Sequence, residues 1–156
     1  MMTIKVKATK KYLQVDNKTP ATKETIKKDW KLDKKMLLKE TKEIAEAIGR
    51  QVTTNIFAGK KYTGGNVAKL RPATVKKKGH GIPLLDTGKL RAGVVVKRDG
   101  DGFTIRMSNA RYKGGDTVSN VATYLNEGSP KMVARPFFGV TEKQINKIVK
   151  NAFKDR

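Results

Sequence analysis

Pro83-Leu84-Leu85-Asp86-Thr87-Gly88-Lys89-Leu90-Arg91-Ala92-Gly93 separates two halves of different character. An apolar triplet runs into Asp-Thr-Gly, and one amphipathic turn then points Leu90 inward and Lys89 and Arg91 outward. Upstream the pattern is helical and basic; downstream it is that of a small antiparallel sheet closed by a helix. Asp-Thr-Gly at such a junction is a catalytic carboxylate, a phosphate cradle or a structural corner. Aspartic-protease chemistry needs two carboxylates sharing a proton, and this stretch supplies one, so a second copy would have to bring the other. Lys89 and Arg91 beside it favour an ionised Asp86. The preferred reading is a cap: Asp86 or Thr87 satisfies the free amides of the turn at 88–92.

Upstream, Asp33 reads as an N-cap for the strongest element in the chain. Leu37, Thr41, Ile44, Ala45, Ile48, Val52 and Ile56 paint one helical face, and Gly59 follows as a C′ residue. The spacing predicts a helix from about Lys34 to Ala58, roughly 37 Å long. Gly49 in its middle costs about 1 kcal/mol against alanine, which marks a close approach by another backbone. Tyr62 to Asn66 is a loop, and Arg71-Pro72 opens a short helix ended by Gly79. Its Lys76-Lys77-Lys78 run reads as a solvated face.

Downstream, Val94–Lys97 and Phe103–Met107 flank Asp99-Gly100-Asp101-Gly102, a strong hairpin signal. Phe103, Ile105 and Met107 share one face, so the sheet is buried on one side. Asn109 to Asn120 is a polar loop, and Val121 to Gly128 fits a short helix or a bent strand equally. Val133 to Gly139 is extended, because Pro136 lacks a donor and biases Arg135 away from helix. Thr141 and Gln144 form a capping box for a last helix. Ile145, Ile148, Val149 and Ala152 make its apolar stripe, and Lys143, Lys147, Lys150 and Lys154 a basic stripe opposite. Residues 1–32 carry nine lysines against three acids, with Ile4 and Val6 alternating with Lys5 and Lys7. They read as a basic arm or first strand, with a turn at Asp16–Pro20, ahead of a domain at 33–156. The fold class is α+β: a long N-terminal helix on a small antiparallel sheet, closed by a C-terminal helix.

The net charge of +21 and pI near 10.3 favour nucleic acid, an acidic protein surface or anionic lipid as partner. Without cysteine there is neither disulfide nor thiolate site, and the single His80 builds no histidine cluster. The N-terminus lacks the apolar core of a signal peptide, and no run is long enough to span a membrane. A soluble protein made in a reducing compartment is expected. No nucleophile arrangement, phosphate loop or paired acidic cluster is present, so neither enzymatic activity nor a cofactor or metal is expected. No zinc-finger spacing, aromatic RNA platform or helix-turn-helix organises the basic residues. The charge therefore supports contact with DNA without sequence reading.

Three motifs occur in a telling order: Leu70-Arg71-Pro72-Ala73-Thr74 with its lysine run, Leu85-Asp86-Thr87-Gly88-Lys89-Leu90-Arg91, and Ala134-Arg135-Pro136-Phe137-Phe138-Gly139. In this the chain resembles the Mu-like virion morphogenesis (tail completion) family of tailed bacteriophages, over roughly residues 34 to 156. Leu125 stands where that family often has histidine, and Glu127 where an aromatic is usual. The resemblance implies an α+β subunit of a ring, typically a hexamer, at the head–tail joint. Such a ring completes the tail or joins it to the head connector while leaving a channel for DNA. The implied partners are other copies of the chain, the tail tube, a tail terminator or connector and adaptor proteins, and genomic DNA in the channel, without a membrane. The implied location is the virion neck, after synthesis in the host cytoplasm. On this resemblance Asp86, Thr87, Gly88, Leu90 and Arg91 form a structural corner, and Arg135 pairs with a carboxylate. Pro136, Phe137 and Phe138 anchor the last strand on the central helix, or present one ring to a neighbouring subunit. The lysine stripe faces an acidic ring, a tube or the DNA channel. The alternative from charge alone is a basic, non-sequence-specific DNA-binding or packaging protein.

Overall fold

Ile4 and Val6 point to one side of β1 (Thr3–Ala8) and Lys5 and Lys7 to the other, and this strand is the middle of five. The computed structural model describes residues 2–29, 34–70, 72–78, 84, 88–130 and 132–153. Strands β2 (Tyr12–Lys18) and β3 (Lys23–Asp29) follow β1 as an antiparallel meander. On its other side β1 pairs with β5 (Gly102–Met107), which pairs with β4 (Val94–Asp99). The resulting order is β3-β2-β1-β5-β4, antiparallel throughout.

Residues 1–32 are therefore more than an arm or a first strand, since they supply three strands, one of them central. The β1–β5 ladder joins residues 3–8 and 102–107 in a single sheet, so a boundary at residue 33 does not separate two folding units. The turn expected at Asp16–Pro20 lies further on. β2 continues to Lys18, and Thr19 and Thr22 close the hairpin, Thr19 N–H donating to the Thr22 carbonyl at 2.8 Å. Asn17 occupies a buried slot on the apolar side of β2, which hides the alternation from a hydropathy pattern. Between β4 and β5 the loop is Gly100-Asp101, with φ positive at Gly100 and not at Asp101. That is the II′ arrangement, with glycine first.

Helix α1 (Lys34–Ala58) lies on the apolar face of the sheet, against β1, β4 and β5. Leu37, Thr41, Ile44, Ala45, Ile48, Val52 and Ile56 are all buried, as the spacing predicts. Asp33, the expected N-cap, is outside the described residues. The C-terminus closes as a Schellman motif, with Lys60 N–H donating to Asn55 O and Gly59 N–H to Ile56 O. Gly49 does mark a close approach, but by a side chain: a Cβ there would lie 2.6 Å from Cγ2 of Val96. The missing methyl lets α1 settle onto β4.

The remaining elements are α2 (Pro72–Lys78), α3 (Lys89–Ala92), α4 (Val118–Glu127) and α5 (Glu142–Ala152). Val121 to Glu127 is thus helical. Thr117 caps α4 by accepting from Asn120 N–H at 3.1 Å, and Ala122 is fully buried. Thr141 and Gln144 form the expected capping box, with bonds of 3.0 and 3.3 Å. Helix α5 packs on α1, with Ile145 and Val149 buried. The apolar side of the sheet is covered; its other side is open.

Deleting residues 1–29 removes three of five strands and uncovers the core partners of Ile105 and Ile48. The truncated chain is expected to lose its cooperative urea transition and its near-ultraviolet circular dichroism. A truncated chain with a sharp transition of its own would contradict the single-sheet reading.

Candidate functional site

The segment Ala134–Val140 has no regular structure of its own, yet Phe137, Phe138, Gly139 and Val140 are all buried. Buried backbone must find hydrogen-bond partners, and here side-chain amides from three elements supply them. Asn55 on α1 donates from Nδ2 to the Phe137 carbonyl at 3.1 Å, and is itself oriented by Gln51, whose Nε2 donates to Asn55 Oδ1 at 3.0 Å. Asn126 on α4 accepts from Phe138 N–H at 3.0 Å. Asn17 on β2 makes two bonds with Val140, donating to its carbonyl at 2.8 Å and accepting from its N–H at 3.0 Å. Main-chain bonds complete the strap: Arg135 N–H donates to Leu125 O at 2.7 Å, and Tyr62 N–H to Pro136 O at 2.9 Å.

Arg135 is buried, and its partners are carbonyls in place of the expected carboxylate. Its Nε donates to Ala68 O at 3.0 Å and a terminal nitrogen to Lys69 O at 3.2 Å. The guanidinium thereby fixes the loop ahead of α2, using its planar fork on adjacent acceptors. Phe137 and Phe138 meet edge to face, with centroids 6.4 Å apart and an interplanar angle of 90°. Both rings belong to the core, so neither faces a neighbouring subunit. Pro136 is half-buried beside them.

At the corner, Leu90 is buried and Gly88 takes φ 81, a left-handed value that its missing Cβ permits. Gly88 O accepts from Ala92 N–H at 3.0 Å to close the turn. Arg91 points outward, its guanidinium 5.0 Å from the centroid of Phe57. Lys89 reaches the other way, donating to the Arg111 carbonyl and lying 5.3 Å from the Tyr112 ring centroid. The corner is thus pinned to α1 and to the loop before α4 by two cation–π contacts. Asp86 and Thr87, expected as its cap, lie outside the described residues.

On α5, Lys143, Lys147 and Lys150 are all exposed on the side away from Ile145 and Val149; Lys154 lies outside the described residues. The large exposed apolar residues sit elsewhere. Phe57 is 52% exposed at the end of α1, while Tyr124 at 55% and Val133 at 65% flank the turn at Gly128. Among the described residues no three acids, histidines or cysteines gather to hold a metal, and no helix is long and apolar enough to cross a membrane.

Comparison with family models, with characterised proteins and with solved structures finds no match to this chain. The motif residues that singled themselves out in the sequence are brought together only in part. The Arg135–Phe138 box is built into the core, and the corner and the lysine stripe lie apart from it. Sequence reasoning missed Asn17, Asn55 and Asn126. The signal that could have found Asn17 and Asn55 is an amide at a buried position of an otherwise apolar periodicity, in Leu13-x-Val15-x-Asn17 and in Val52-x-x-Asn55-Ile56.

Replacing Asn17 by alanine leaves both polar groups of buried Val140 without their partner. We expect Asn17→Ala to cost about 2–6 kcal/mol, from one to three for each orphaned group, read as a lower urea midpoint. Lys143→Ala on the exposed stripe should stay within about 0.5 kcal/mol. Equal midpoints for the two variants would show that the strap does not depend on this clamp.

Proposed function

We propose that this chain is a structural virion protein of a tailed bacteriophage. It forms a ring at the head–tail joint that completes the tail or connects it to the head and lets DNA pass. The observation that carries the reading is where the motif residues of the resemblance are spent. Leu90, Phe137 and Phe138 are buried, and Arg135 is committed to two backbone carbonyls. A motif set whose described apolar and arginine residues are used for scaffolding suits a subunit whose work is done by its surfaces.

Two surfaces fit that role. Tyr124 and Val133, on either side of one turn in the sequence and both well exposed, suit contact with a neighbouring subunit, since aromatic residues are enriched at interface centres. The Lys143, Lys147 and Lys150 stripe suits an acidic tube or connector ring. No carboxylate among the described residues forms an ion pair with these lysines, so their charge is available to a partner. On this reading the protein acts in the virion, in the neck.

Negative-stain imaging of the purified protein, alone and with phage tail tubes, tests the proposal. Rings or capped tube ends are expected, and Tyr124→Glu combined with Val133→Glu should abolish ring formation while leaving the urea midpoint nearly unchanged. Reversing Lys143, Lys147 and Lys150 to glutamate should lower the fraction of capped tubes by about tenfold, the equivalent of about 1.4 kcal/mol. Neither rings nor capped tubes with the unmodified protein would overturn the reading. Capping that survives the reversal would remove the lysine stripe from it.

A further inference from the structure

The open face of the sheet is built from alternate residues of all five strands, and the register places them in rows. Lys23, Lys18, Thr3, Arg106 and Val95 form one row; Thr25, Asp16, Lys5, Thr104 and Lys97 the next. Lys27, Gln14, Lys7, Gly102 and Asp99 form the third, with Asp29 and Tyr12 beyond. Seven cations therefore share a face with three acids, and the six lysines are all exposed.

Two of the three acids, Asp16 and Asp99, are engaged by other groups. Asp16 accepts from Gln14 Nε2 at 3.0 Å and from Thr25 Oγ1 at 2.7 Å, and Asp99 accepts from Thr104 Oγ1 at 2.9 Å. Both carboxylates are thus held by neutral donors of the face itself, and no ion pair joins them to its lysines among the described residues. Lys18 and Lys23 even stand directly opposite each other, an arrangement that costs stability in a strand pair. Apart from Lys27 over the Tyr12 ring and Arg106 on the Met107 carbonyl, the face keeps positive charge that the fold does not use.

We propose that this sheet face binds the phosphate backbone of double-stranded nucleic acid without reading sequence. A protein partner fits the face poorly, because lysine is depleted and aromatic residues are enriched at protein interfaces. Here the centre is lysine and threonine, and the apolar contributors, Val95 and the ring of Tyr12, are half-buried at its margins. Lysines interleaved with threonine hydroxyls are the groups that contact phosphates. A single strand fits poorly as well, because base stacking needs free aromatic rings. The Tyr12 ring is covered by the Lys27 ammonium, 5.1 Å from its centroid. With strands ~4.8 Å apart and a rise of ~3.4 Å per residue, the face spans about 20 Å each way. That length of duplex carries roughly 12 phosphates, of which one side presents about half. Seven cations match that number.

This inference stands apart from the ring proposal, because a single subunit carries the whole face. Fluorescence anisotropy of a labelled 20-base-pair duplex of arbitrary sequence tests it, as a salt titration with the whole 156-residue chain. The unmodified protein should show a slope of log affinity against log salt of about −5. The variant Lys5→Gln, Lys7→Gln, Lys18→Gln should lose about 2.7 from that slope and at least about tenfold in affinity at 0.1 M salt. The variant Lys143→Gln, Lys147→Gln, Lys150→Gln makes the same change in net charge on α5 and should leave the slope unaltered. Circular dichroism checks that both are folded, and single Lys5→Gln and Lys7→Gln variants carry the test if the triple variant is not. Equal losses from the two triple variants would overturn the assignment, since affinity would then follow net charge alone. So would tighter binding to polyglutamate than to the duplex, which would make the face one for an acidic protein. Duplex binding on this face with no rings would sink only the ring proposal, and rings without duplex binding only this one.

Discussion

Everything in this fold depends on carrying an irregular piece of backbone through the core without orphaning its polar groups. The Ala134–Val140 strap uses no ladder, because Pro136 lacks a donor and the strap pairs with neither edge strand of the sheet. Asn17, Asn55 and Asn126 substitute for a neighbouring strand, each an amide able to donate and accept at once. They come from β2, α1 and α4, so the strap ties the N-terminal meander, the long helix and the helical cap into one body. Phe137 and Phe138, placed between those bonds, then fill the space under α1. Hydrogen bonding sets the path of the strap, and burial of two aromatic rings, worth roughly 2–3 kcal/mol each, drives it inward.

That dependence explains why a sheet with so little apolar sequence is stable where it is. β3 offers Ile26 alone to the core, and an isolated hairpin of such composition would be marginal. It is held from outside the sheet: Lys28 donates to Asn146 on α5 at 2.6 Å, and Asn17 on the neighbouring strand grips Val140 just before the α5 cap. The two ends of the chain thus stabilise each other through contacts more than a hundred residues apart in sequence.

Much of this was legible in the residues. The three-four spacing from Leu37 to Ile56 located α1, the Asp-Gly turn located the β4–β5 hairpin, and Thr141 with Gln144 located the start of α5. In each the signal is local, a periodicity or a cap. What stayed hidden was non-local. β2 and β3 are poor strands by composition, since Asn17 interrupts one alternation and five of the seven residues of β3 are charged or polar lysine, glutamate and aspartate. Their pairing is fixed by β1 between β2 and β5, which no window of sequence displays. Arg135 drew attention as a cation seeking a carboxylate, when its environment offered two carbonyls. Both features depend on backbone brought in from distant parts of the chain, the β1 ladder in one case and the Ala68 and Lys69 carbonyls in the other.

The same logic orders the surfaces. Burial of the core claims one face of the sheet and one stripe of each long helix, and the clamps claim the polar residues nearest to them. What is left outside falls into patches of unlike chemistry: a lysine-and-threonine sheet face, a lysine stripe on α5, and Tyr124 with Val133 at the Gly128 turn. At +21, like charges repel across the whole molecule, so concentrating lysines on one sheet face raises the cost of folding instead of lowering it. Even so, the two acids in the middle rows of that face bond to threonine and glutamine. An arrangement that forgoes available ion pairs keeps its positive charges free for something outside the chain.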